Sequence, residues 1–402
     1  MKVLFICDSP PSPRGTSDAV IAYNRIRLLA QRGHPIGLLS FLPAEQGSVP
    51  SELQKMVLEL EMVPAPPRRP PLLACLRSRG IPWLAAPYQA AHSRDMAKLA
   101  GRMVARSGYD VVVAGATVMG QYLYRNVYLP AVHRVISCQG TVAAARRRAA
   151  GFRRWWDASG QWGEEVTRRI EAFETGMFRY ADCVITITLE EREELMRASP
   201  DLNVGVVPYG LNASDYAWQD PRLAEPEIVF AGAFLDEADC DGAVWFLRNV
   251  WPAVARRHPQ VRFCIAGRRV PRRVRRLVQR SRGSVEVRED DGTSADAFTG
   301  ACVLVCPIRV HAGFQSQVLR AMACGVPVVS TTAGAEGLPA QTGHNLFLAD
   351  TAHVMAENID LLLEDAELRR TLALRARKLV TQHFPWQQSV DKLEAVLRQV
   401  VG

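Results

Sequence analysis

Short, unbroken apolar runs recur along this chain, each bounded by glycine, proline or a polar cluster. The first runs from Lys2 to Cys7. A strand with apolar side chains on both faces is expected to be covered on both sides, as inside a parallel sheet. A Pro/Gly-rich loop from Asp8 to Thr16 follows, and then a helix is predicted to about Arg32, with Ser17 or Asp18 as its cap. Gly33-His34 ends the helix, and Ile36 to Phe41 reads as a second strand. Together they make a βαβ unit, whose crossover is right-handed.

The alternation continues. Strands are predicted over residues 110–114, 134–138, 183–188 and 204–208, with helices over 164–180 and 190–198. Near residue 205 the pattern restarts. Strands follow over 227–231, 263–266, 285–287, 301–306 and 326–330, with helices over 242–257, 314–324, 351–364 and 366–382, and a last helix from near Pro385. Strands alternating with helices predict an α/β fold with parallel sheets. The chain divides into residues 1–205 and 206–382, and residues 383–402 are expected to pack back on the N-terminal part. The stretch Pro64 to Pro71 holds five prolines and reads as a surface loop.

Composition narrows the class. With 402 residues, 48% hydrophobic and 22% charged, the chain suits two globular domains. No apolar run reaches the roughly 18 residues of a membrane span. The opening Met1 to Ile6 is a strand pattern rather than a leader, so a cytoplasmic protein is expected. Nine cysteines are scattered without paired spacing, which suggests reduced, buried thiols. Cys302 and Cys306 lie four apart, but no further His or Cys completes a metal site. The net charge of +8 suits anionic partners such as nucleotide diphosphates, anionic lipid or nucleic acid. The segment Arg146 to Trp156 is basic and aromatic. It is a candidate for peripheral contact with an anionic membrane, bringing a lipid-linked acceptor close, or for a mobile loop or lid. No nucleic-acid-binding motif is present, so that partner is not expected.

The second half carries a recognisable series. Gly313-Phe-Gln-Ser-Gln-Val-Leu-Arg-Ala-Met-Ala-Cys-Gly-Val-Pro-Val-Val-Ser330 is a Gly-led loop, a helix and a strand. It resembles the signature of family-4 retaining glycosyltransferases. Val207-Pro-Tyr-Gly-Leu-Asn212, Phe230-Ala-Gly-Ala233, Asp241-Gly-Ala-Val-Trp-Phe246 with Trp251-Pro252, Phe263 to Gly267, Gly334 to Leu338 and Gly343-His-Asn345 follow that family's order. The helix seen in exopolysaccharide-type sugar transferases is among them. The resemblance covers about residues 205–402 well and the first 200 thinly. It implies a GT-B fold: two Rossmann-like domains with parallel sheets facing a central cleft. It also implies a nucleotide diphosphate sugar as co-substrate, held mainly by the C-terminal domain, with no cofactor and no metal. The acceptor would be a glycan, a lipid-linked sugar or a small molecule.

The chain departs from that pattern at several positions. Where the family places two glutamates eight apart, Ala312 and Arg320 stand here. A guanidinium has no acceptor and cannot take the ribose hydroxyl bonds of a carboxylate. Gln317 replaces a lysine that faces phosphate, the loop Ala233 to Glu237 lacks a basic pair, and Gln139 stands in place of an N-domain histidine.

The donor-side candidates are therefore Gly15, Gly232, Arg268, Arg309, His311, Gly313, Phe314, Gln315, Ser316, Gln317, Arg320 and Glu336. The glycines let a ligand approach the backbone, the arginines offer bidentate phosphate contact, and residues 313–317 open a helix whose amides and dipole suit a diphosphate. Glu336 is the nearby carboxylate for sugar or ribose hydroxyls. Asp18 and Gln139 are the acceptor-side candidates, Asp18 with helix capping as its structural alternative. Arg269, Arg272, Arg273, Arg275, Arg276, Arg280 and Arg282 read as a solvated helix face. No catalytic side chain can be named from the sequence. The competing reading is a catalytically degenerate protein serving as binding partner or scaffold for another transferase.

Overall fold

The computed structural model describes residues 1–42, 49–66, 88, 91–151, 160–234, 237–289, 295–298, 300–310 and 313–402. They form two compact units. One is Met1–Pro208 together with Gln387–Gly402, the other Tyr209–Trp386.

The N-terminal unit runs β1 (Val3–Cys7), α1 (Ser17–Gln31), β2 (Ile36–Leu42), α2 (Ser51–Met56), β3 (Glu59–Pro64), α3 (Arg94–Ser107), β4 (Val111–Ala114), β5 (His133–Ser137), α4 (Val142–Gly151), α5 (Gly160–Arg179), β6 (Cys183–Thr186), α6 (Leu189–Ala198) and β7 (Val204–Val206). Its seven strands lie in the order β3-β2-β1-β4-β5-β6-β7, all parallel. All five residues of β1 are buried, as are all four of β4 and of β6. Helices on both faces require that, which is why these strands read as continuous apolar runs.

Two features correct the sequence reading here. The cap of α1 is neither Ser17 nor Asp18 but Thr16, whose hydroxyl accepts from the Ala19 amide at 3.4 Å. Asp18 lies inside the first turn, and its carboxyl is free to face elsewhere. The segment Arg146 to Trp156 is a candidate in the sequence for membrane contact or for a mobile loop or lid. Its beginning instead belongs to α4, while residues 152–156 lie outside the described residues. Residues 67–71 of the proline stretch also lie outside them; Pro64 ends β3.

The other unit runs β8 (Glu225–Ala231), α7 (Glu237–Trp245), α8 (Trp251–Arg257), β9 (Arg262–Ala266), α9 (Arg272–Arg280), β10 (Ser284–Arg288), β11 (Ala301–Cys306), α10 (Ser316–Cys324), β12 (Val328–Ser330), β13 (Phe347–Leu348), α11 (Ala352–Glu364) and α12 (Ala366–His383). Six parallel strands take the order β10-β9-β8-β11-β12-β13. The predicted single helix over 242–257 starts earlier and contains a π-type turn, Phe246–Val250, in which the Trp251 amide reaches back to the Phe246 carbonyl. Pro252 next to it has no N–H to give, so the ladder cannot run through unbroken.

The last helix, α13 (Trp386–Val401), begins at the end of this unit, and from Gln387 it belongs to the N-terminal unit. There Val390, Leu393 and Leu397 are buried. Its polar side is fixed by Glu394, which pairs with Arg32 at 2.9 Å, Arg398 at 2.7 Å and His34 at 3.1 Å. These bonds hold its carboxyl near pKa 2, the Arg398 bond contributing most. The Ser389 hydroxyl donates to the Pro208 carbonyl at 2.6 Å.

Eight cysteines are described, all buried and unpaired. Burial pushes the Cys302 and Cys306 thiols up to about 11 and about 12, and both lie against backbone carbonyls, those of Glu227 and Gly334.

Candidate functional site

In an open parallel sheet, ligands bind beyond the carboxyl ends of the strands, where successive connections diverge to opposite sides. Each sheet has one such place: between β8 and β11 in one unit, and between β1 and β4 in the other.

Gly232 directly follows β8, and its amide donates to the Ala266 carbonyl at 3.0 Å. A Cβ there would sit 3.0 Å from the Asp239 carboxyl. A Cβ on Gly267, at the end of β9, would come within 2.5 Å of the Gly232 carbonyl. Both strand ends are therefore bare backbone by necessity. Asp239 accepts from the Phe234 amide at 2.8 Å, holding the turn in which Phe234 takes a left-handed φ of 52°. Arg268 follows directly, exposed, with no ion pair or hydrogen bond among the described residues.

Beyond β11, Arg309 is engaged by Asp241 through two bonds, at 2.8 and 2.7 Å, and lies over the Trp245 ring. His311 and Ala312 lie outside the described residues. Gly313 has φ +78°, a conformation that suits glycine. It leads into α10, which no side chain caps. Such a helix start offers amide donors and the positive end of the dipole. The loop is braced from within. Gln317 donates to Gln315 at 2.6 Å, and Gln315 donates to the Gly313 carbonyl at 2.9 Å. Phe314 stacks on Tyr209 with ring centres 5.3 Å apart, and Tyr209 packs on Trp386 at 5.2 Å. Phe314 is thus an anchor for the helix start. The turn before it has no room for a side chain at Gly210, where a Cβ would lie 2.5 Å from the Trp386 ring.

Ser316 is buried in the first turn of α10. Arg320, one turn further on, is only 3% exposed, and its guanidinium reaches the Tyr209 hydroxyl at 3.4 Å. Burial pushes the neighbouring Tyr216 phenol up to about 12, and the Arg320 charge opposes that rise. Glu336 is buried in the turn beyond β12, before Gly337 at φ +74°. That turn is tied to the β11 loop: the Gly334 amide donates to the Thr331 hydroxyl at 3.0 Å, and Thr331 donates to the Ile308 carbonyl.

In the N-terminal unit the carboxyl edge carries a charged cluster. Asp8 follows β1, and Asp18 lies in the first turn of α1. Burial is the main cause pushing the Asp18 carboxyl up to about 7. The Asp8 charge adds to the rise; Arg25 and the Gln139 side chain oppose it. Burial raises Asp8 as well, and the two titrate as a pair. Arg25, one turn or more along α1, is 3% exposed and donates to the Ser137 hydroxyl at 3.0 Å and the Val207 carbonyl at 3.1 Å. Its own pKa falls to about 10 through burial. Gly15, φ +125°, and Gly140, φ +92°, line the same edge, and a Cβ on either would meet nothing within 4 Å. The space above these loops is open.

The structure thus brings Asp18 and Gln139 together, and adds Asp8 and Arg25, which the sequence reading missed. Asp8 sits immediately beyond an all-apolar strand. Arg25 interrupts the buried run Ala19 to Ile26. A third anchored carboxylate supports this edge from below. Glu174 on α5, 2% exposed, accepts from the Val142 and Ala143 amides at 2.7 and 3.1 Å and from the Tyr88 hydroxyl at 2.7 Å. It caps α4 from another helix and fixes the turn that follows Gln139.

Comparison with known proteins agrees with this architecture. Residues 225–365 match the family model described as Glycosyl transferases group 1. Over 93 residues, 22% of the chain, it is 36% identical to N-acetyl-alpha-D-glucosaminyl L-malate synthase of Bacillus anthracis. The matches span 42% and 24% of the lengths of the two curated relatives found. Among solved structures, sucrose-phosphate synthase from Thermosynechococcus elongatus superposes with a TM-score of 0.74 at 17% identity, covering 100% of this chain and 99% of that one. Anabaena HepE in complex with UDP-glucose superposes with a TM-score of 0.68 at 16% identity, covering 99% and 100%. Likenesses at that identity speak for the fold. Residues 225–365 of the C-terminal unit are similar to the group 1 glycosyltransferases, and the chain as a whole has the two-domain α/β GT-B fold.

Proposed function

We propose that this protein moves a sugar from a nucleotide diphosphate sugar to an acceptor hydroxyl or amine, with retention at the anomeric carbon and without a metal ion. The observation that carries the reading is the carboxyl edge between β8 and β11. Bare backbone at Gly232 and Gly267, the unpaired Arg268, and the uncapped start of α10 behind the left-handed Gly313 all lie there. Fixed amide dipoles and a free guanidinium suit a diphosphate, both bound and as a leaving group, because they need no rearrangement as its charge develops. The complex of HepE with UDP-glucose supports a sugar nucleotide as the donor.

The acceptor falls to the N-terminal unit in this reading. Burial raises both Asp8 and Asp18, the latter to about 7, and their carboxyl oxygens face an acceptor hydroxyl or amine beneath the open space at Gly15 and Gly140 in this reading. Calorimetry against UDP-, GDP-, ADP- and dTDP-sugars tests the donor half. At least one should give heat, and silence across the panel would refute it.

A second reading, a scaffold that has lost its donor site, is favoured by one observation. Arg320 lies buried against Tyr209 where the resemblance puts a ribose-binding carboxylate, and Arg309 is already held by Asp241. The same panel separates the two.

A further inference from the structure

Helix α9 breaks the rules for its own stability. It opens with Arg272 and Arg273, although a helix start favours acidic residues. Arg272, Arg276 and Arg280 follow at intervals of four along one exposed face, where like charges repel. Val274, on the opposite side, is buried and holds the helix to the sheet. The two arginines on the flanks of the cationic face are neutralised: Arg273 pairs with Glu237, and Arg275 pairs with Glu289. The arginines between them are not. Among the described residues, the side chains of Arg272, Arg276 and Arg280 have no ion pair or hydrogen bond, and neither have those of Arg269 and Arg282 at the helix's two ends. The stripe runs about 12 Å along the helix. Among the described residues, the acidic partners thus sit on the flanks of the helix and not along the outward line.

We propose that this face of α9 docks the protein on an anionic lipid surface, with these five unpaired arginines against the headgroup phosphates. A strand of nucleic acid offers similar charge. No large exposed hydrophobic or aromatic side chain lies between residues 262 and 289 to stack a base, and a row of cations with no apolar wedge suits a flat array of headgroups. This places the lipid-facing surface on the C-terminal unit rather than on the segment from Arg146. It stands independently of the donor chemistry.

Co-sedimentation of the full chain with vesicles tests it. The protein should bind phosphatidylcholine vesicles that contain phosphatidylglycerol, bind phosphatidylcholine alone far more weakly, and lose binding as salt rises. At about one kcal/mol for each basic side chain, Arg272→Gln, Arg276→Gln and Arg280→Gln combined should cut partitioning about a hundredfold. The triple Arg→Lys variant should keep it within a few fold, because only charge is needed. The thermal midpoint of the glutamine variant, no lower than that of the parent, excludes unfolding as the cause. Equal binding to neutral vesicles would overturn the proposal, as would parent-like partitioning of the glutamine variant. Tighter binding to an oligonucleotide in a gel shift would also overturn it and assign the stripe to nucleic acid.

Discussion

The Asp8 charge, at the end of β1, raises the pKa of Asp18 in the first turn of α1, and burial lifts both carboxyls. Stability must therefore depend on pH in a definite direction. The folded protein keeps a proton on Asp18 that the unfolded chain releases above its ordinary 3.8. That contribution is complete below the unfolded value and is lost as pH climbs toward about 7. Asp18→Asn removes it. Between pH 5 and 8, thermal melts should show the variant gaining on the parent by at least about 1 kcal/mol. Parallel pH curves would contradict the coupling. Where a donor and acceptor are turned over, the same variant should lose acceptor use while donor binding in calorimetry stays unchanged.

Glu394 gives the opposite slope. Its carboxyl is held down to about 2 by Arg398, Arg32 and His34. The stability it adds is present above the unfolded value near 4.5 and is lost as pH falls toward 2. Glu394→Gln should cost about 1–2 kcal/mol at neutral pH, because the hydrogen bonds to charged partners weaken. The cost should shrink in acid. Hydrogen exchange should rise first in residues 387–401.

Arg309 and Asp241 test how the phosphate edge is supplied. The pair is exposed on the Arg309 side, so Asp241→Asn should change the melting midpoint little. If Arg309 turns to a diphosphate when released, that variant should bind UDP severalfold more tightly, and Arg309→Gln severalfold more weakly. Titration calorimetry reads both. No change in either would leave Arg268 and the start of α10 as the charge partners.

Among the described residues, no side chain but Glu174 meets the Val142 and Ala143 amides. Glu174→Ala strands those donors and the buried Tyr88 hydroxyl, and should cost about 2–4 kcal/mol. Faster amide exchange at the start of α4 would locate the damage, and a change spread evenly over the chain would argue against it.

Much of this fold can be read from residue order, because parallel strands covered on both faces must be apolar throughout. Val3–Cys7, Val111–Ala114 and Ala301–Cys306 announce themselves that way. The edge strand Glu59–Pro64 does not: its charged Glu59 and Glu61 suit a half-covered border. Helix α3 was also missed, although Ser93 caps it by accepting from the Met96 amide and Gly108 closes it at φ +64°. The candidate site could be proposed from its glycines and from Asp18 and Gln139. It was obscure at Asp8 and Arg25, because only the topology brings the ends of β1 and β5 beside the first helix. The unusual burial of Arg320 is likewise a matter of what packs around α10, which no spacing along the chain encodes.

The chain passes from the first unit to the second after Pro208 and returns after Trp386. During synthesis, the ribosome must therefore deliver all 178 intervening residues, 209 to 386, before the helix that carries Glu394 emerges. At ordinary elongation speed, that delay is roughly ten to forty seconds. Throughout it, Arg32 and His34 wait without their partner, and the hollow meant for Val390, Leu393 and Leu397 stands uncovered. The earliest-made half is thus finished last, and its nascent form is the species a chaperone would meet.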